Sequence, residues 1–151
     1  MKYIIDGKTM KAADAYTIGT IGIPSLVLME RAALKVVEVA QREQIDLSKS
    51  LIVCGSGNNG GDGIAVGRLL LEKGYGVTAV LVGNPDHCTE ETKTQIQIFE
   101  AVGGKVEREI PNDTYTAVFD AVFGIGLSRK VEGRYAGILE QMNSMDAAKI
   151  A

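Results

Sequence analysis

The 151-residue chain predicts an α/β protein: a three-layer α/β/α, Rossmann-like fold with a mostly parallel, doubly wound sheet and an N-terminal helical extension. Three observations carry that prediction. Short apolar runs alternate with segments of helical period from residue 51 onward. Two of those runs end in glycine-rich loops, 55–63 and 124–130. Two helical segments precede the first run. Alternating strands and helices build a parallel sheet through right-handed crossovers, with helices on both faces.

Taken in order, residues 8–19 read as a helix, with Thr9 placed to cap it and Met10, Ala13 and Thr17 on one face. Gly19 and Gly22 are expected to break it. Pro24 and Ser25 open a second helix, in which Leu26, Met29, Ala33, Val36, Val37 and Ala40 keep the three-four spacing of an apolar stripe. Glu30 and Arg31 near its start read as a solvated surface pair. The two helices can cover one sheet face or pack against a second subunit.

Residues 51–54 form a short buried strand, and a loop with five glycines in nine residues follows, 55–63. A helix over 64–73 ends at Gly74. Residues 77–82 are a strand and 89–102 a helix, with Ile96 and Phe99 inward and Gly103-Gly104 as its stop. Residues 105–107 begin a short edge strand. Residues 116–123 are a buried strand interrupted by one acid, Asp120. The second glycine loop leads to a helix over 133–143 with Tyr135, Ile138, Leu139 and Met142 inward, and 149–151 open one more strand. In the order 3-2-1-4-5, strands 51–54 and 116–120 are neighbours at the switch point. Ligands bind there, beyond the carboxyl ends of the strands.

A net charge of -3 argues against nucleic acid or an anionic membrane as partner. No run approaches the ~20 apolar residues of a membrane span, and the N-terminus has too short an apolar run for a signal peptide. The two cysteines lack metal spacing: Cys54 reads as a buried structural thiol, and Cys88 falls in a loop. The single histidine, His87, reads as a solvated loop residue. Histidine triads and His/Cys metal centres therefore have little material, and a bound metal would be a hard cation held by oxygens.

A strand that feeds a helix through a glycine-rich turn offers bare N–H groups and a positive dipole end to an anion. Gly55, Gly57 and Gly60 fit Gly-x-Gly-x-x-Gly, yet the acid wanted about 20 residues on is missing after strand 77–82. The Walker pattern is absent too. The loop instead carries three polar side chains, Asn58, Asn59 and Asp62. They can be turn formers and a helix cap, or ligand contacts. Asp120 is the lone charge in an apolar strand. It can be a strand-end cap accepting loop N–H groups, a metal ligand, or a general acid/base. Asn59 can offer an amide oxygen to the same cation. Ser128, Arg129 and Lys130 supply a hydroxyl and two cations that suit a second phosphate, or are ordinary surface charge.

The segments Gly55-Ser-Gly-Asn-Asn-Gly-Gly-Asp-Gly63 and Phe119-Asp-Ala-Val-Phe-Gly-Ile-Gly-Leu127 together resemble the NAD(P)H-hydrate epimerase family, the YjeF N-terminal domain. Pro24-Ser-Leu-Val-Leu-Met-Glu-Arg-Ala-Ala33 and Val131-Glu-Gly-Arg134 fit the same family. The resemblance covers nearly the whole chain. It implies an enzyme of metabolite repair, often a homodimer, that interconverts the R and S forms of hydrated NADH and NADPH (NADHX and NADPHX). It implies that Asn58, Asn59, Gly60, Gly61 and Asp62 contact the dinucleotide. It implies that Asn59 and Asp120 help hold a potassium ion. Gly124, Ile125, Gly126, Leu127, Ser128, Arg129 and Lys130 would form a second substrate loop.

Asp120 is also the candidate catalytic proton carrier. The expected location is cytoplasmic, and association or fusion with an NAD(P)H-hydrate dehydratase is an expected partnership. The family continues into an Asp-x-Pro-Ser-Gly segment, so residues 1–151 are expected to be one C-terminally incomplete domain. A non-catalytic nucleotide-binding module, or an inactive fragment of that enzyme, is the alternative, and a nicotinamide-dependent oxidoreductase lacks its acid after the second strand.

Overall fold

Among the described residues, five parallel strands in the order 3-2-1-4-5 form the central sheet, as the alternation predicts. The computed structural model describes residues 5–128 and 130–151. The strands are β1 (Lys49–Cys54), β2 (Gly76–Leu81), β3 (Val106–Glu107), β4 (Ala117–Ala121) and β5 (Ala148–Ile150). The helices are α1 (Gly7–Tyr16), α2 (Ser25–Arg42), α3 (Asn58–Glu72), α4 (Glu90–Ala101) and α5 (Gly133–Ser144). Among the described residues no helix is long and apolar enough to cross a membrane.

The pleat sends alternate side chains to opposite faces of the sheet. Ile52, Cys54, Ala79, Leu81, Phe119 and Ala121 enter one core layer with Ile64 of α3, Phe99 of α4 and Ala33 of α2. Leu51, Val53, Val80, Val118 and Val122 enter the other, under Ile138 and Met142 of α5. Asp120 falls between Phe119 and Ala121 in β4, so it shares the α5 face with Val118 and Val122.

Several details differ from the sequence expectation, β4 ending at Ala121 rather than 123 among them, and four have a plain physical reason. First, α1 begins at Gly7 and is capped by Asp6, whose Oδ1 accepts the Thr9 amide at 2.7 Å; Thr9 donates here and is no cap. None of its side chains is buried, Met10 included. Second, Gly19 does not stop the helix, which runs on as a π-helical turn over Thr17–Ile21 and ends at Gly22, whose φ is 85°. Third, α3 starts six residues earlier than expected. The glycines that argue against a helix by propensity are inside it because neighbours leave no room for a side chain. A Cβ on Gly60 would lie 1.9 Å from the Gly55 carbonyl oxygen, and one on Gly63 would lie 2.4 Å from Ala121 Cβ.

Fourth, Glu30 does not pair with the exposed Arg31. It holds the guanidinium of Arg68, which is 8% exposed and also binds Glu72 at 2.8 Å. Burial works against the Arg68 charge, but the bonds from Glu30 and Glu72 outweigh it and raise its pKa. This pair links α2 to α3. Ser25 Oγ, which donates to Glu91 Oε1 at 2.7 Å, links α2 to α4. Of the α2 stripe, Met29, Ala33, Val37 and Ala40 are buried, whereas Leu26 is half-buried and Val36 is exposed. Cys54 and Cys88 are both buried and free, so Cys88 is a core residue although it follows a turn, and His87 is exposed.

Candidate active site

The site is built where β1 and β4 end side by side. Val53 is paired with Asp120 and Cys54 with Ala121, and the Gly55 amide donates to the Ala121 carbonyl at 3.0 Å. A Cβ on Gly55 would lie 2.1 Å from the Val122 carbonyl oxygen, so only glycine lets the two strand ends meet this closely. Beyond them α3 begins at Asn58, with Gly57 as its cap residue. The amides of Asn58 and Asn59 have no earlier helical carbonyl to bond, which leaves donors and the positive end of the dipole at the strand ends.

A cavity of about 980 Å³ opens over this junction. The first loop and the start of α3 line it with Gly55, Ser56, Gly57, Asn58, Asn59 and Asp62. The end of β4 and the second loop contribute Asp120, Val122, Phe123 and residues Gly124, Ile125, Gly126, Leu127 and Ser128. Tyr135 of α5 and Ala151 complete that side, and Lys11 and Asp14 of α1 close the other. Both predicted loops and Asp120 therefore meet in one place.

The other predicted residues lie elsewhere. Gly60 and Gly61 are not among the lining residues. Gly60 is packed on the Gly55 carbonyl, and a Cβ on Gly61 would lie 2.9 Å from Met29 Cε and from Thr92 Oγ1. Lys130 lines an adjoining cleft of about 260 Å³ with Phe123 and Tyr135, and its Nζ is 3.8 Å from Glu132. Arg129 lies outside the described residues.

Three side chains set the chemistry. Asn59 Nδ2 donates to the Phe123 carbonyl at 3.0 Å, so the start of α3 holds the second loop. Asp120 Oδ1 accepts the Val122 amide at 3.1 Å. The strand-end cap is thus present, and the same half-buried carboxylate lines the cavity. Asp62, expected as a cap or a ligand contact, lies beyond the capping position and lines the cavity. Burial, and then the Asp14 carboxylate, push its pKa up to about 6. Lys11 and Asp14 were invisible to sequence reasoning, because nothing in a solvated helix says what it lies over.

Asn59 Oδ1 and Asp120 Oδ2 have no hydrogen-bond partner among the described residues. Two free oxygens at one cavity are the donor chemistry a hard monovalent or divalent cation takes. Among the described residues no three His, Cys, Asp or Glu side chains gather into a metal-holding group.

A glycine-rich βα turn, a second glycine loop and a strand-end carboxylate around one switch-point cavity define an α/β protein of the Rossmann-like class. Residues 25–151 match the family described as YjeF-related protein N-terminus. The chain belongs to that family. It is 45% identical over 151 residues to an NAD(P)H-hydrate epimerase of Limosilactobacillus reuteri, a match that spans 98% of this chain and 71% of that protein. It is 44% identical over 149 residues to the protein of the same name from Lentilactobacillus buchneri, spanning 97% of this chain and 69% of the relative. The fold is similar to the crystal structure of a yeast protein, YNL200c, with a TM-score of 0.80 and 20% identity, covering 99% of this chain and 70% of that one.

Proposed function

We infer that the chain is an NAD(P)H-hydrate epimerase, an isomerase that interconverts the R and S forms of hydrated NADH and NADPH. The observation that carries the reading is the convergence of both glycine loops and Asp120 on one cavity, in a chain whose relatives bear that name. The substrate makes the reaction accessible. Its hydroxyl is on a ring carbon bonded to nitrogen. The nitrogen lone pair can form a C=N bond as the C–O bond breaks and the hydroxyl leaves as water. Water then adds to the opposite face and returns a proton. The chain must supply a group that gives and takes that proton.

Asp120 is our candidate for that group, because it is the carboxylate held at the meeting of both loops. Its bond from the Val122 amide fixes one oxygen and leaves the other for the reacting hydroxyl. Asn58, Asn59 and the first-turn amides of α3, with Gly124, Ile125, Gly126, Leu127 and Ser128, would bind the dinucleotide. Gly60 and Gly61 would serve that surface from beneath, by letting α3 approach β1 and α2. Asn59 Oδ1 and Asp120 would hold a potassium ion, which would supply positive charge beside the reacting oxygen. A cation on Asp120 weakens it as a base, so its two roles are separable by experiment.

Tyr16, Ile18, Ile21, Val27 and Leu34 are large apolar side chains exposed on the first two helices and the π-turn between them. Exposed apolar side chains on these N-terminal elements support a homodimer formed through them. The free thiols of Cys54 and Cys88 support a reducing, cytoplasmic location.

A coupled repair assay tests the function. An S-specific NAD(P)H-hydrate dehydratase and its nucleotide are given mixed R and S hydrated NADH, with and without this protein. Sustained fast recovery of NADH from the R fraction supports the epimerase. Recovery that slows once the S form is spent, with or without the protein, contradicts it. A binding module would hold ADP-ribose and leave recovery slow.

A further inference from the structure

Helix α1 buries none of its side chains, yet it lies across the cavity. Gly7, its first residue, abuts Ile125 of the second glycine loop: a Cβ there would lie 3.1 Å from Ile125 Cδ1. One turn on, Lys11 Nζ lies 3.7 Å from where a Cβ on Gly126 would be. Asp14, the next residue on that face, lines the same cavity as Asp62. Residues 11 and 14 precede the segment 25–151 that matches the family.

Charge shows what this helix adds. The described lining residues include three carboxylates, Asp14, Asp62 and Asp120, and one cation, Lys11. A dinucleotide brings two phosphate charges to a cavity that is otherwise acidic. Backbone amides at the start of α3 favour one phosphate, but no described second-loop residue that lines this cavity is a cation, since Lys130 lines the adjoining cleft beside Glu132. Lys11 is exposed, pairs with no carboxylate among the described residues, and places its ammonium at that loop. An ammonium is a compact point charge suited to a phosphate oxygen.

We propose that Lys11 is a substrate-binding residue: α1 lies over the cavity and carries the ammonium that holds the diphosphate of the dinucleotide against the second glycine loop. The inference rests on the nucleotide site proposed above and adds to it a contact from outside the matched segment. Gly7 and Gly126 are small where α1 crosses the loop, which lets the ammonium come close. Asp14 has the opposite effect on an anion, so Lys11 and Asp14 together set how strongly α1 attracts one.

The test compares Lys11→Gln, Lys11→Arg and Lys8→Gln with the unsubstituted chain. Lys8 is on the same helix and is not among the lining residues. Calorimetry with ADP-ribose and with adenosine reads the contact directly. Lys11→Gln is expected to weaken ADP-ribose by about tenfold, the size of one charge-assisted hydrogen bond from a solvent-reachable group, and to leave adenosine unchanged. Lys11→Arg should restore most of the loss, Lys8→Gln should match the unsubstituted chain, and added salt should shrink the difference. In the epimerase assay KM for hydrated NADH should rise with kcat retained. ADP-ribose affinity that is equal in Lys11→Gln and Lys8→Gln overturns the proposal, and so does failure of the unsubstituted chain to bind ADP-ribose. If the unsubstituted chain epimerises while Lys11→Gln binds normally, this inference fails and the function stands. If the tenfold loss appears without turnover, the function fails and the contact stands.

Discussion

The Asn59 carboxamide and the Phe123 carbonyl, 64 positions apart in sequence, are joined by a 3.0 Å hydrogen bond. The bond crosses from the start of α3 to the loop after β4, so one side chain sets the spacing between the two glycine loops. Asn59→Ala removes it. The fold should lose about 1 kcal/mol, the usual net value of one hydrogen bond. The epimerase rate should fall on the order of 100-fold, because the second loop is no longer held in place. Urea denaturation and the coupled assay read the two effects separately. A large loss of stability with normal turnover would assign Asn59 to the scaffold alone.

Gly63 and Gly137 predict opposite outcomes for the same substitution. A Cβ on Gly63 meets Ala121 Cβ at 2.4 Å and Cys54 Sγ at 3.0 Å. Gly63→Ala should cost about 1–3 kcal/mol by overpacking α3 against β1 and β4. Gly137 is in α5 with nothing within 4 Å of its Cβ position. Gly137→Ala should stabilise by about 0.5–1 kcal/mol, as an alanine does inside an exposed helix. Equal denaturation midpoints for the two variants would contradict the close approach at Gly63.

Arg68 gives a third test. Glu30→Ala strips one of its two carboxylates and should cost about 2 kcal/mol, since a buried charge that loses a partner is poorly compensated. Arg68→Met removes the buried charge, and with it the need for either carboxylate, and should be nearer neutral. If Arg68→Met proves the more damaging of the two, the pair matters through its geometry and the desolvation argument fails here.

The Asp62 carboxyl titrates high in the folded chain, at about 6, for which burial is the main cause and Asp14 the second. The sign follows from linkage. The folded state holds the proton more tightly than the unfolded one, so this group's contribution is fully present below the ordinary carboxylate range. It is lost as pH rises from about 4 to about 6. Asp62→Asn keeps the neutral form at all pH. It should therefore be more stable than the unsubstituted chain at pH 7 and 8, with the gap closing toward pH 4. A gap that is constant with pH would show that the carboxyl is not perturbed.

Much of this fold was legible in the sequence because its signals are local. Apolar runs that end in glycine, helical stripes and one acid in a strand gave the strand order and put Asp120 beside the first loop. What was not legible depends on distant contacts. The start of α3 was hidden because Gly60, Gly61 and Gly63 oppose a helix by propensity, and only the neighbours at Gly55, Met29 and Ala121 explain them. Glu30 has a local partner in Arg31 by spacing, while its actual partner is 38 positions away. Lys11 and Asp14 are in a helix with no buried side chain, so periodicity could not say that it crosses the cavity.

The reaction proposed for this cavity is the interconversion of two epimers. The most direct measurement starts from purified S hydrated NADH and, separately, from purified R, and follows both forms by chromatography in potassium buffer. The chain is expected to drive both samples to the same R to S ratio far faster than the solvent does, with no NADH formed. Asp120→Asn, folded with an unchanged melting profile, is expected to lose that acceleration. Samples that drift together no faster with the chain than without it would contradict epimerase activity.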